Sequence, residues 1–290
     1  MKRTILLMIL VLIMAFTPAF AATEDDAVTE AETPAVDTPV VDSAGSSTEE
    51  SDEPVLINKL QKAADYITEQ IEANNRDFTF YFTSIDEEDI EALMRMSSGF
   101  MGIYGGEDYI LYYPKAKEFN GKEYYRIEFK SSYLTKKQLK SALTKADKVA
   151  AKAAKQSTTK KKYQYINNWM KKNIKFTTKQ GKYDTIYGAL VKGKADANAF
   201  AATYALICHK AGLKCEYVSG NRKGKGPNGL HCWDIIKISK KWYSVDVTMN
   251  KYYNTNKYFK CTKSNKTFWK NRKLLAEYNT KAYKKAHPMA

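Results

Sequence analysis

Several patterns that define common classes of protein are missing from these 290 residues. No apolar run approaches the about 20 residues that a helix needs to cross a bilayer. There is no C-x-x-C pair, and only 3 histidines are present, so the usual ligands of a zinc site are lacking. The glycine-rich stretch 220–230 lacks the G-K-[ST] ending of a phosphate loop, and we interpret it as a mobile connection. We therefore predict no metal, no cofactor and no membrane span in the mature chain.

The first 21 residues have the organisation of a secretory signal peptide. Lys2 and Arg3 precede an apolar run over residues 5–16, and Ala19-Phe20-Ala21 is a small-x-small cleavage motif. A transmembrane helix is the competing interpretation, but the run is too short for one. No cysteine lies at the cleavage point, so a lipid anchor is not indicated. We predict a secreted, extracellular protein, with the cell wall as one candidate location.

Residues 22–54 contain 11 acidic residues and neither a basic nor an aromatic one. A segment of this composition buries too little apolar surface to offset the entropy of ordering it, so we predict a disordered acidic linker. Once residues 1–21 and 22–54 are set aside, the other 236 residues contain 45 basic and 21 acidic side chains, a net charge of about +24. This charge favours anionic cell-wall polymers, membrane surfaces or the acidic linker as partners, although a solvated lysine-rich surface explains it equally well. Nucleic acid is not a predicted partner, because no recognition motif is present.

The four cysteines are Cys208, Cys215, Cys232 and Cys261. Export places them in an oxidising compartment, where disulfides are permitted. Four cysteines allow three complete pairings, and the sequence does not choose among them. A disulfide between Cys215 and Cys232 is one option if their strands pair.

Residues 55–132 predict a small α+β N-terminal domain. A helix is expected over residues 55–74, a strand over 78–82 and a second helix over 85–97. Asn120-Gly121 is a strong signal for a two-residue hairpin turn. The many tyrosines and phenylalanines of this unit are interpreted as core residues and cross-strand pairs.

Residues 133–162 are rich in lysine and alanine and predict a basic helical connector to a second domain at 163–290. This second domain opens with a helix that has one apolar face: Tyr163, Ile166, Trp169, Met170 and Ile174. Another helix is expected to end at Gly212. Strands over residues 213–219, 231–238 and 241–248 follow, and the overall class is α+β.

Two residues of the last strands are predicted to meet. If Ile238 faces Lys241 across the turn, then Asp246 becomes a diagonal neighbour of His231, about 7 to 8 Å away and within side-chain reach. A carboxylate that holds an imidazole in one tautomer is the base and orienter of a catalytic triad. A histidine beside an aspartate also has a common structural role, and spacing alone does not separate the two.

The order of these motifs resembles the catalytic core of the transglutaminase-like superfamily, across roughly residues 160–260. The matching residues are AFAATYALICHKAGLKCEYVSG, His231-Cys232-Trp233-Asp234 and Lys241-Trp242-Tyr243-Ser244-Val245-Asp246-Val247-Thr248, with YGALVKGKA as the lead-in of secreted bacterial members. The resemblance implies an α+β fold like that of papain-type cysteine proteases. It also implies a Cys-His-Asp triad for acyl transfer, as cross-linking, deamidation or peptide hydrolysis. His231 matches the base, Asp246 matches its orienter, and the position of the nucleophile holds Ala197.

No other residue is expected to replace the missing cysteine. Cys208 lies about 16 Å further along the helix axis. Cys232 is adjacent to His231 in a strand and points to the opposite face. Asp196 is interpreted as the helix N-cap.

We therefore expect a transglutaminase-like protein without cysteine chemistry, which binds an extracellular protein or peptide, or an anionic cell-wall polymer, through a retained scaffold. The alternative is an active cysteine acyltransferase or protease that uses His231 and Asp246 with an unrecognised nucleophile. A third interpretation is a wall-adhesion module in which the cleft is vestigial.

Overall fold

The computed structural model describes residues 53–75, 77–83, 93, 109–130, 134–179, 183–225 and 229–290. The predicted signal peptide, nearly all of the acidic linker and, apart from Leu93, the predicted helix over 85–97 lie outside these residues.

A four-stranded sheet forms the N-terminal unit, with strand order β1-β2-β4-β3. Its strands are Leu56–Ile57 (β1), Asp77–Phe82 (β2), Tyr109–Phe119 (β3) and Lys122–Lys130 (β4), and helix α1 is Leu60–Glu72. The predicted hairpin turn is confirmed, because β3 and β4 are joined by Asn120 and Gly121, whose φ angles are +52° and +72°. Aromatic rings fill the core of this unit as expected: Phe78 stacks on Phe129 at a centroid distance of 4.6 Å.

Two helices follow, α2 at Lys136–Ala154 and α3 at Thr159–Asn173. Thr135 begins α2 with a capping box, in which its hydroxyl accepts from the backbone N–H of Gln138 and the Gln138 side chain accepts from the N–H of Thr135. The lysines of α2 are exposed, but its opposite face is buried in the main hydrophobic core. Helix α2 is therefore part of the core as well as a connection, and its buried residues are Leu139, Ala142, Leu143, Ala146, Val149, Ala150 and Ala153.

The C-terminal unit packs a buried helix on a second four-stranded sheet, ordered β10-β7-β8-β9. Short elements lead into it: Lys175–Phe176 (β5), Ile186–Leu190 (α4) and Lys194–Ala195 (β6). The buried helix and the strands that follow are Ala197–Lys210 (α5), Cys215–Arg222 (β7), Gly229–Ile238 (β8) and Lys241–Val245 (β9). The chain ends with Val247–Tyr252 (α6), Lys266–Trp269 (α7), Arg272–Leu274 (β10) and Lys281–Ala286 (α8). The predicted α+β class is confirmed.

The register predicted for the last two strands is observed, but it stops earlier than expected. Ile238 pairs with Lys241, and pairing continues as far as Asp234 and Val245. The prediction that the strand runs to residue 248 is wrong, because the Asp246 carboxylate accepts from the backbone N–H of Met249 at 2.8 Å and begins helix α6. An aspartate in this role favours a helix start over a further strand pair.

Two glycines position elements around the sheet. Gly212 has a φ of +69° and ends α5, as predicted. Gly220 allows close approach: a Cβ atom there would lie 2.3 Å from the Lys273 carbonyl oxygen and 2.6 Å from the Trp233 ring. Only glycine lets β10 lie this close to β7, so Gly220 holds the start of β10 at the same end of the sheet as the start of β8, with β7 between them.

Within the described ranges, no helix has both the length and the apolarity required to cross a membrane.

Candidate active site

His231 and Asp246 meet in the interior of the C-terminal unit. Both residues are 0% exposed, and Nε2 of His231 lies 2.7 Å from Oδ2 of Asp246. His231 is near the start of β8, and Asp246 is the residue that follows β9. Strand β9 pairs with β8 as far as Val245. The next residue, Asp246, therefore lies beside β8 and within reach of His231.

Arg272 is a third member of this cluster that sequence reasoning missed. Its Nη2 donates to Asp246 Oδ2, the same oxygen that faces His231, and its Nη1 donates to the Phe268 carbonyl at 2.6 Å. The guanidinium also lies over the Phe268 ring, 4.2 Å from its centroid, and over the rings of Trp233 and Tyr258. No local motif marks Arg272, since its position depends on the pairing of β10 with β7, fifty residues earlier in the chain.

Contacts with His231 and Arg272 decide the charge of Asp246. Burial alone raises its pKa, but the charge and hydrogen bond of His231, the charge of Arg272 and the N–H of Met249 together lower the pKa to about 2. Asp246 is therefore ionised at neutral pH, although it has no contact with solvent.

The second ring nitrogen of His231 has no hydrogen-bond partner among the described residues. When Nε2–H of a neutral imidazole donates to Asp246, Nδ1 carries the lone pair that a general base needs. Nδ1 is buried and accepts no hydrogen bond from any described residue. In a Cys-His-Asp triad this nitrogen faces the thiol of the nucleophile, so the arrangement is that of a base and its orienter.

The start of helix α5 occupies the position expected from the sequence. Asp196 is the N-cap, and its Oδ1 accepts from the backbone N–H of Ala199 at 2.8 Å. Ala197 is the first residue of the helix and Asn198 the second; the Asn198 side chain accepts from the Tyr217 hydroxyl at 2.9 Å. Burial, assisted by the charge of Asp184, raises the pKa of Asp196 to about 7 despite the hydrogen bond from Ala199.

Cys232 lies on the side of β8 that packs against helix α5. It clusters with Ala201 and Tyr217, on the face of β8 opposite to His231, as adjacent strand positions require. Burial raises its pKa to about 12, and the charges of Asp196 and Asp246 both contribute to the increase.

The four cysteines are free thiols, and each has a pKa above its ordinary value. Burial is the main cause in every case, and for Cys261 it raises the pKa to about 12. A nucleophilic cysteine requires the opposite environment, with nearby positive charge that stabilises the thiolate. A Cys215–Cys232 disulfide does not fit the register: Cys215 pairs with Ile236, four residues from Cys232 and about 13 Å along the strand.

Among the described residues, no group of three histidine, cysteine or acidic side chains is arranged to hold a metal ion.

Comparisons with known proteins agree with the motifs. Residues 146–247 match the family model described as the transglutaminase-like superfamily, which confirms the resemblance expected from the sequence. The match begins within helix α2 and ends just after Asp246. Among curated proteins no sequence match was found.

Two solved structures are similar to part of the chain. One is a TGase, with 16% identity, a TM-score of 0.35, and coverage of 60% of this chain and 51% of that one, so this chain spans about half of it. The other is described as a candidate cysteine protease from Cytophaga hutchinsonii, with 13% identity, a TM-score of 0.32, and coverage of 60% of this chain and 72% of that one.

Asp246 predicts a defined loss of stability in acid. Its pKa is lowered from 3.8 to about 2 in the folded state, so its contribution is complete above pH 4 and disappears as the pH falls to about 2. The shift corresponds to about 2 kcal/mol of unfolding free energy. Urea unfolding between pH 2 and 5 should show this loss in the native chain, and Asp246→Asn should remove that part of the pH dependence.

Asp147→Asn is the matched control, because Asp147 is an exposed residue paired with Lys210 at 2.7 Å. This variant should keep the acid loss. An Asp246→Asn variant with the same slope as the native chain would show that Asp246 is not held ionised by its partners.

Proposed function

We propose that this chain, transglutaminase-like over residues 146–247, is a secreted protein that lacks cysteine acyl-transfer chemistry and uses its scaffold to bind partners at the cell wall or extracellular surface. The observation that carries the proposal is the unpartnered Nδ1 of His231, together with an alanine at the helix position where the resemblance places the nucleophile. Ala197 has no atom that could attack a carbonyl carbon. The base therefore has no thiol from which to take a proton.

The environments of the four cysteines support the same conclusion. A thiolate would have to form next to His231, but Cys232 points to the other face of β8, and Cys208 is buried on the last turns of α5. The thiol of Cys261 contacts the Lys257 carbonyl at 3.3 Å. With burial raising the pKa of all four thiols, none of them is prepared as a nucleophile at neutral pH.

Charge supports the binding half of the proposal. The part of the chain after residue 54 has a net charge of about +24, and helix α2 alone exposes six lysines along its outer face. The partners that fit this charge are an anionic cell-wall polymer, or an extracellular protein or peptide. Export follows from the signal-like residues 1–21.

One observation supports a second candidate function. The His231–Asp246 pair has the geometry of an intact base and orienter, which an active acyltransferase or peptidase requires. That function needs a nucleophile that reaches Nδ1 of His231 from outside the residues described here, or from a substrate.

Activity assays distinguish the two candidates. We expect the native chain to show amine incorporation into a glutamine peptide, and peptide hydrolysis, no faster than the His231→Ala variant, because the base has no partner to activate. A thermal unfolding measurement on the variant is needed to show that it is folded. Activity that is present in the native chain and absent from a folded His231→Ala variant would contradict the proposal.

Wall binding tests the partner. Cosedimentation of the purified chain with isolated cell walls should weaken roughly tenfold between about 0.05 and 0.5 M salt, because exposed charges are screened over this range. Walls from which the anionic polymer has been extracted are the matched control and should bind little protein. Binding that is equal at both salt concentrations and on both wall preparations would exclude the anionic polymer as the partner.

A further inference from the structure

The geometry points to a disulfide between Cys208 and Cys215 in the exported protein, with Cys232 and Cys261 remaining free. The proposal rests on the proposed function in one respect: export would place the protein in an oxidising compartment. It concerns the far end of helix α5, away from the buried His231–Asp246 pair.

The two cysteines flank one tight reversal of the chain. Cys208 lies near the end of α5, and its carbonyl accepts from the N–H of Ala211 at 3.1 Å and from the N–H of Leu213 at 2.9 Å. Gly212, with its positive φ, turns the chain back, and β7 begins at Cys215. The hydrogen bond from Leu213 to the Cys208 carbonyl thus holds the chain against the end of α5 at a point two residues before Cys215.

The side chains of both residues enter the space between helix and sheet. Cys208 is 0% exposed and belongs to the main core, against which Cys215 also packs. The thiol of Cys215 lies 3.8 Å from Oδ1 of Asp234. Tyr217, which follows Cys215 on the same face of β7 and pairs with Asp234, packs toward α5. Cys215 therefore points at the inner side of α5, toward the part of the core that contains Cys208.

The remaining two thiols are held away from this pair. Cys232 contacts Tyr217 near the opposite end of α5, and its strand register puts it about 13 Å from Cys215. Cys261 exchanges backbone hydrogen bonds with Ser244 on β9. The sequence allows three complete pairings. Two of them require Cys232 or Cys261 to reach Cys208. The third joins Cys208 to Cys215, and its second bond would have to join Cys232 and Cys261, which lie on different elements.

Formation of the bond requires an oxidant with a disulfide of its own, such as oxidised glutathione or a disulfide-exchange protein. The thiolate of one cysteine attacks the oxidant and releases one thiol, and the second cysteine then attacks the mixed disulfide and releases the other. One S–S bond forms in the chain, one is lost from the oxidant, and two electrons and two protons pass to the released thiols. Cys208 is fully buried in the folded chain and Cys215 is half-buried, so Cys215 is the thiol that a disulfide oxidant reaches first.

The experiment uses the full chain, denatured and reduced, then refolded in a glutathione redox buffer and alkylated. Before alkylation, the mass of the refolded chain should be lower than that of the fully reduced chain by two hydrogen atoms. Trypsin cleaves after Lys210 and Lys214, so Cys208 and Cys215 fall on separate peptides that stay joined only through a disulfide. Cys232 and Cys261 should be alkylated.

Thermal unfolding gives a second measurement. Reduction should lower the Tm of the oxidised chain by about 5 °C, as expected for a short closed loop. Cys208→Ala should make the Tm independent of reductant, whereas Cys232→Ala, the matched control at another buried cysteine, should keep the difference. Four alkylated cysteines, or a crosslink that includes Cys232 or Cys261, would overturn the assignment. The refolding experiment uses neither acyl transfer nor export. Its result is therefore independent of the tests of the proposed function.

Discussion

The carboxylate of Asp246 is the interaction on which the C-terminal unit depends. One of its oxygens accepts from both His231 on β8 and Arg272 on β10, and the other accepts from the N–H of Met249 and so begins helix α6. Its own N–H donates to the Tyr258 carbonyl. A single buried anion thus joins two strands, a helix start and the C-terminal segment, and it is stable only because each of its oxygens is satisfied.

Under the proposed function, this arrangement gives a physical reason for the chain to keep the other two residues of the triad. Removing one partner of a buried ion pair typically costs about 3 to 5 kcal/mol, because the remaining charge is left unpaired in the interior. His231 and Asp246 can therefore be retained for stability after catalysis is lost. Arg272 adds to this, since it binds Asp246 whether or not a thiol stands at the start of α5.

Much of this could be predicted from sequence because the signals are local. The hairpin at Asn120-Gly121, the stop at Gly212 and the register through Ile238 and Lys241 each depend on a few neighbouring residues, and all three are observed. The strand end at Asp246 was missed because a single hydrogen bond to Met249 outweighs the alternating pattern of the strand. Arg272 could not be predicted, because it reaches the site only after β10 pairs with a strand fifty residues away. The buried face of α2 was hidden by its many lysines.

The measurement that bears most directly on the missing nucleophile is the reactivity of a thiol installed by Ala197→Cys. The rate of alkylation by iodoacetamide should be followed against pH, with His231→Ala in the same background as the control. If position 197 lies within reach of His231 and lacks only the nucleophile, the new thiol should titrate well below the ordinary value of about 8.5, and the second substitution should raise its pKa. A thiol with an ordinary pKa that is insensitive to His231 would contradict the view that only the nucleophile is missing.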